Sequence, residues 1–139
     1  MRNLGYLLDT NIVTAHLKQN ERIITKLEEV SLQGQKAFVS GISYYEIKRG
    51  LLAVNATRKL SIFNTFCQTY RLLLLDDIEI LEKASEIYAD LKQRGRPIQD
   101  ADILIAATAI IRGLILVSND SDLLRVQGVT VENWLRTED

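Results

Sequence analysis

Histidine, cysteine and proline are almost missing from this chain: His16, Cys67 and Pro97 are each the only one of their kind. One cysteine cannot close an internal disulfide, and a reducing, cytoplasmic setting is expected. One imidazole and one thiol cannot build a zinc site, because zinc prefers those ligands in numbers. Seven glycines and a single proline leave no composition for a flexible linker. No apolar run reaches the roughly 18 residues that a membrane helix needs. The opening Leu4-Gly5-Tyr6-Leu7-Leu8 is too short and too early for the core of a secretory signal, so none is expected. A basic surplus is missing as well. The net charge is −1 and the pI about 5.9, whereas nucleic-acid binders usually carry a positive balance. A bound divalent cation would soften that objection, since it is often the largest local charge in its site.

What is present fits one domain, residues 1–139. A chain of this length buries roughly 68–70% of its unfolded surface, enough for a proper core. Short apolar runs at Tyr6–Leu8, Ala37–Val39, Leu72–Leu75, Leu114–Val117 and Val129–Val131 read as strands. Helical spacing separates them over Asn11–Lys18, Arg22–Leu32, Ser43–Val54, Arg58–Tyr70, Asp77–Arg94 and Asp100–Arg112, with a short helix at Asp120–Arg125. Gly34 closes the second helix and Gly113 the sixth, and Gly95 with Pro97 breaks the chain between the last two long ones. Strands alternating with helices imply an α/β domain: a central parallel sheet of about five strands, flanked by helices on both faces.

In an open parallel sheet, ligands bind just beyond the C-terminal strand ends. Asp9 ends the first strand. Glu46 follows the second, in the first turn of its helix. Asp120 follows the fourth, beyond Ser118 and Asn119. These three are expected on one edge of the sheet. Asp102 opens the apolar helix Asp100–Arg112, and a charge in so apolar a helix needs a reason. A helix feeding a strand is expected to start at the opposite edge, so the strand-edge rule leaves Asp102 open. Asp9 and Asp120 could also be plain helix caps, and Glu46 a solvated helix charge. Asp100 reads as the N-cap of its helix, Asp122 as an exposed helix charge, and Asp76 and Asp77 as a helix N-terminus. His16 reads as a surface or packing residue and Cys67 as a small buried one. Carboxylates forced together raise one another's pKa and call for a cation. Oxygen-only ligands select hard ions, Mg²⁺ or Mn²⁺, which can activate water against a phosphodiester.

Four segments resemble the motifs of PIN domains, in family order and across nearly the whole chain. They are Leu-Leu-Asp9-Thr10-Asn11, Ser40 to Gly50 around Glu46, Ile98 to Ala107 around Asp102, and Leu116 to Leu123 around Asp120. With its compact length and closing Val131-Glu132-Asn133-Trp134, the chain is similar to the VapC toxins of bacterial toxin–antitoxin pairs. The resemblance implies a Mg²⁺-dependent endoribonuclease, Mn²⁺ being a possible substitute, that is usually a homodimer held inactive by a VapB-type antitoxin. It implies Asp9, Glu46, Asp102 and Asp120 as catalytic metal ligands, with Thr10, Asn11 and Ser118 orienting them or the water. Ser118 stands where threonine is commoner and Leu123 where an aromatic is. Arg49, Arg58, Lys59, Arg94 and Arg96 are candidates for RNA phosphate contact, and Lys48 and Arg49 are the best placed because they follow Glu46.

Two other classes compete. A receiver-like phospho-acceptor domain shares the α/β fold and a carboxylate cluster, but needs a lysine near its late strands, and none follows Lys92. A catalytically inactive PIN-like interaction module is the other. An antitoxin helix would lie in an apolar groove that Ile47, Leu51 and Val54 with Ile62, Phe63 and Phe66 could line, core packing being the alternative for at least half of them.

Overall fold

The computed structural model describes residues 5–136; the first four and last three residues of the expected domain lie outside it. Five strands form one sheet: β1 (Gly5–Leu8), β2 (Lys36–Ser40), β3 (Arg71–Leu73), β4 (Ile115–Val117) and β5 (Val131–Glu132). Their order is β3-β2-β1-β4-β5 and every pairing is parallel. The helices are α1 (Thr10–Leu17), α2 (Glu21–Leu32), α3 (Gly41–Ala53), α4 (Thr57–Thr69), α5 (Ile78–Gln93) and α6 (Asp100–Arg112), and Ser121–Arg125 is a 3₁₀ turn. The fifth strand starts two residues later than its apolar run suggests: Val129 packs against the core as loop, and Val131 and Glu132 pair with β4.

Strand alternation divides the core in two. Leu7 and Leu116 face one side, packed under Ile80, Ile87 and Leu91 of α5 and Ile103 and Ala107 of α6. Their neighbours Leu8 and Val117 face the other, under Ile12, Val13, Ile23, Leu27 and Phe63. Both faces are therefore covered, which is why the strands read as unbroken apolar runs. Phe63, Phe66 and Ile47 are buried in this second cluster. These three of the six groove candidates are thus core residues, the alternative expected for at least half of them; Leu51 and Ile62 are part-buried and Val54 is exposed. His16 packs on the Phe66 ring at 4.6 Å, and the half-buried Cys67 packs against the same cluster.

Gly5 lets β1 approach β2, because a Cβ there would lie 2.6 Å from the Lys36 carbonyl oxygen, and its φ of +151° is one that side chains resist. Gly113, at φ 68°, ends α6 in the left-handed conformation. The chain then turns straight into β4, which sets the direction of α6. A helix that feeds a strand through so tight a turn runs antiparallel to it, and so begins at the C-terminal edge of the sheet. The expected starting edge of α6 is thereby reversed, and Asp102, left open by the strand-edge rule, comes to the same edge as the other three carboxylates. The segment after β3 supplies the return path: Asp76 pairs with Arg112 at 3.1 Å, at the far end of α6, so α5 climbs back before α6 descends. Among the described residues no helix is long and apolar enough to cross a membrane.

Candidate active site

The sheet order changes direction between β1 and β4, the position where open α/β sheets hold ligands. Asp9 leaves β1 there, its backbone N–H donating to the Val117 carbonyl at 2.9 Å. A cavity of about 740 Å³ opens at this point, lined by Asp9, Glu46, Asp102 and Asp120 together. Glu46 reaches it from the second turn of α3 rather than the first, because α3 starts at Gly41. Asp102 reaches it from the first turn of α6, and Asp120 from the mouth of the 3₁₀ turn.

Each carboxylate is held. Asp9 is almost wholly buried; its Oδ2 accepts from Ser118 Oγ at 2.6 Å and its Oδ1 from the Thr10 backbone N–H at 2.8 Å. Ser118 Oγ in turn accepts from the Asp120 backbone N–H at 3.0 Å, so one hydroxyl ties the Asp9 carboxylate to the backbone that carries Asp120. Thr10 Oγ1 donates to Glu46 Oε1 at 2.9 Å and stands 2.8 Å from the buried Ser43 hydroxyl. Asn11 Oδ1 accepts from the Asn119 N–H at 3.2 Å, which ties α1 to the loop after β4. Asp9 and Asp120 also cap the helical turns that follow them. The capping reading is thus true of both, and does not compete with a site role.

Electrostatics mark the cluster as unneutralised. Burial raises the Asp9 carboxyl above its ordinary range, against the pull of Ser118 and Thr10, with Asp120 and Glu46 adding repulsion. Asp102 is pushed up to about 6, by burial first and then by Asp9, Asp120, Glu46 and Asp122. Among the described residues, no three such side chains are already closed on a single point. The chemistry of the donor set nonetheless fits a hard divalent ion: carboxylate oxygens only, half-buried, mutually repelling, and braced by hydroxyl donors.

Sequence reasoning missed part of the lining. Thr14 and Lys18 fall four and eight residues after Thr10, and all three line the cavity; that helical stripe on α1 was the available signal. Asn20, Gln99 and Asn119 line it too. Asp122 sits at its rim, paired with Arg125 at 3.1 Å. Asp100 turns instead toward Leu81 and Tyr88, and it is the first helical residue; Gln99 holds the cap position. The expected phosphate contacts do not line the cavity. Lys48 donates to Asn64 and stands over the Tyr44 ring, Arg49 stands over Tyr45, Arg94 binds Asp90 and the Arg125 carbonyl, and Arg96 is exposed elsewhere.

The family model described as "PIN domain" matches residues 6–129, which contain all four carboxylates. The chain belongs to the PIN-domain family. Among curated relatives of this PIN domain, the tRNA(fMet)-specific endonuclease VapC of Shigella flexneri is 31% identical, over 94% of this chain and 98% of its own. Ribonuclease VapC2 of Haemophilus influenzae is 34% identical, over 95% and 99%. The DNA-bound VapBC structure from Salmonella typhimurium matches with a TM-score of 0.83 at 28% identity, over 94% of this chain and 98% of that one. VapBC2 from Rickettsia felis, bound to a promoter DNA fragment, matches with a TM-score of 0.86 at 24% identity over 93% and 98%, a likeness of fold. PIN-domain nucleases of the VapC type are generally divalent-metal dependent. The receiver-domain alternative falls with the family match.

Proposed function

We propose that this PIN domain is a Mg²⁺-dependent endoribonuclease, the toxin half of a VapBC-type pair, which cuts RNA at the Asp9–Glu46–Asp102–Asp120 cluster. The observation that carries the reading is the convergence of those four side chains on one cavity at the sheet's switch point. Relatives of near-equal length named as VapC ribonucleases support it, and VapBC neighbours support a VapB-type antitoxin as partner.

In this reading the four carboxylates hold the ion, with Mn²⁺ as a substitute. The ion would ease loss of a proton from a water, making it nucleophilic toward phosphorus, and would supply positive charge for the phosphoryl oxygens. The chain's own residues do the rest. Ser118 orients the Asp9 carboxylate and holds the Asp120 backbone, the Asp122 backbone N–H holds the Asp120 carboxylate, and Thr10 holds Glu46. Asp102 keeps its proton up to about pH 6 and must release it to act as an anionic ligand. The lone, unpaired cysteine fits a cytoplasmic setting.

Purified protein incubated with a pool of single-stranded RNA tests the proposal. New internal ends in Mg²⁺, and none in EDTA, are expected. Equal cleavage in both, or cleavage in neither, would contradict it.

A further inference from the structure

The carboxylate cavity has a second wall, and it is made of donors. Lys18 is the sole cation among its lining residues. It is the residue that caps the C-terminus of α1, two turns beyond Thr10, and no acidic partner holds it among the described residues. Asn11, Asn20 and Asn119 line the same cavity, and hydrogen bonding sets the orientation of each amide. Asn11 Oδ1 accepts from the Asn119 backbone N–H, and Asn20 Oδ1 from the Ile23 backbone N–H at 3.2 Å. A backbone N–H can face only the oxygen end of an amide. Asn119 Oδ1 accepts from Asn133 Nδ2 at 2.8 Å. In all three the oxygen is engaged within the protein. The NH₂ groups are left without a protein acceptor among the described residues.

We infer that Lys18, with the amide groups of Asn20, Asn11 and Asn119, forms a subsite for an RNA backbone phosphate flanking the scissile one. The inference rests on the ribonuclease reading and says how an acidic cavity tolerates an anionic substrate. A phosphodiester offers acceptors alone, so it complements a wall of donors and is repelled by a floor of carboxylates. Eight residues of helix separate Lys18 from Thr10 by about 12 Å. Lys18 therefore meets a phosphate outside the reacting group, and its contribution is to binding rather than to the chemical step.

The test is binding of a fluorescent single-stranded RNA in EDTA across a KCl series, with steady-state cleavage in Mg²⁺ alongside. Three full-length variants are compared. Lys18→Met removes the charge at similar volume, and Lys18→Arg restores it. Asn20→Asp keeps the oxygen that caps α2 but replaces the donor with an anion. For Lys18→Met the salt slope should fall by about 0.7, the value for one phosphate on a single strand. Its KM should rise roughly tenfold with kcat nearly unchanged, the size of one lost charge-assisted contact. Lys18→Arg should recover both, and Asn20→Asp should raise KM without lowering thermal stability. Wild-type salt slope and KM in Lys18→Met and Asn20→Asp would overturn the subsite, as would a loss confined to antitoxin binding. Wild-type protein that binds RNA with the predicted slopes but cuts none would instead overturn the ribonuclease reading and leave the subsite standing.

Discussion

Asp102 holds its proton to about pH 6 because burial and four neighbouring carboxylates disfavour its charge. Its unfolded value is near 3.9. Between those limits the folded chain binds more protons than the unfolded one, so stability falls as pH rises from about 4 to about 6. Above pH 6 the full penalty of the charge is present; below pH 4 it is gone. Asp102→Asn should therefore raise the melting temperature in EDTA at pH 7 and leave it unchanged below pH 4. Thermal melts over pH 3.5–8 check this, and a gain that is equal at every pH would contradict it. At the same scale, the sequence made Asp9 and Asp120 readable, since each ends an apolar strand. It did not make Ser118's double role readable, because a hydroxyl that joins the Asp9 carboxylate, 109 residues away, to the Asp120 backbone N–H depends on β1 and β4 being neighbours. The Thr10, Thr14 and Lys18 spacing was readable, but only the closed fold shows that this stripe and the three amides share the carboxylate cavity.

At the scale of elements, periodicity located every strand and helix of the described chain, and what it missed came from connections. A reader of the sequence cannot see that Leu74–Asp77 runs back along the sheet. The strand-edge rule therefore left Asp102 open, and only the motif resemblance placed it with the other three carboxylates. Amphipathic spacing likewise could not tell a docking face from a core face in α4, whose Phe63 is fully buried. Glycine positions give a sharper test of the elements. A Cβ on Gly5, in β1, would meet backbone at 2.6 Å, whereas one on Gly50, inside α3, would meet nothing within 4 Å. Gly50→Ala should stabilise by about 0.5–1 kcal/mol, the gain of alanine over glycine in a helix. Gly5→Ala should destabilise by more than about 1 kcal/mol, since β1 must shift away from β2. Urea unfolding of both variants separates them, and effects of the same sign would contradict the account of the β1–β2 approach.

At the scale of the molecule, a net charge of −1 once spoke against a nucleic-acid substrate. The fold changes the weight of that number. Asp9, Glu46, Asp102 and Asp120 line one cavity, so four of the eighteen acidic residues lie where an ion would neutralise them, and Lys18 and the amides of Asn11, Asn20 and Asn119 line the same cavity. The central claim is that this cluster cuts RNA, and Asp9→Asn tests it most directly. The change keeps the size of the side chain, and an amide oxygen can still accept from the Thr10 N–H. Circular dichroism should confirm an unchanged fold, and cleavage of an RNA that the wild-type protein cuts in Mg²⁺ should disappear. Undiminished cleavage by the folded Asp9→Asn protein would contradict the account.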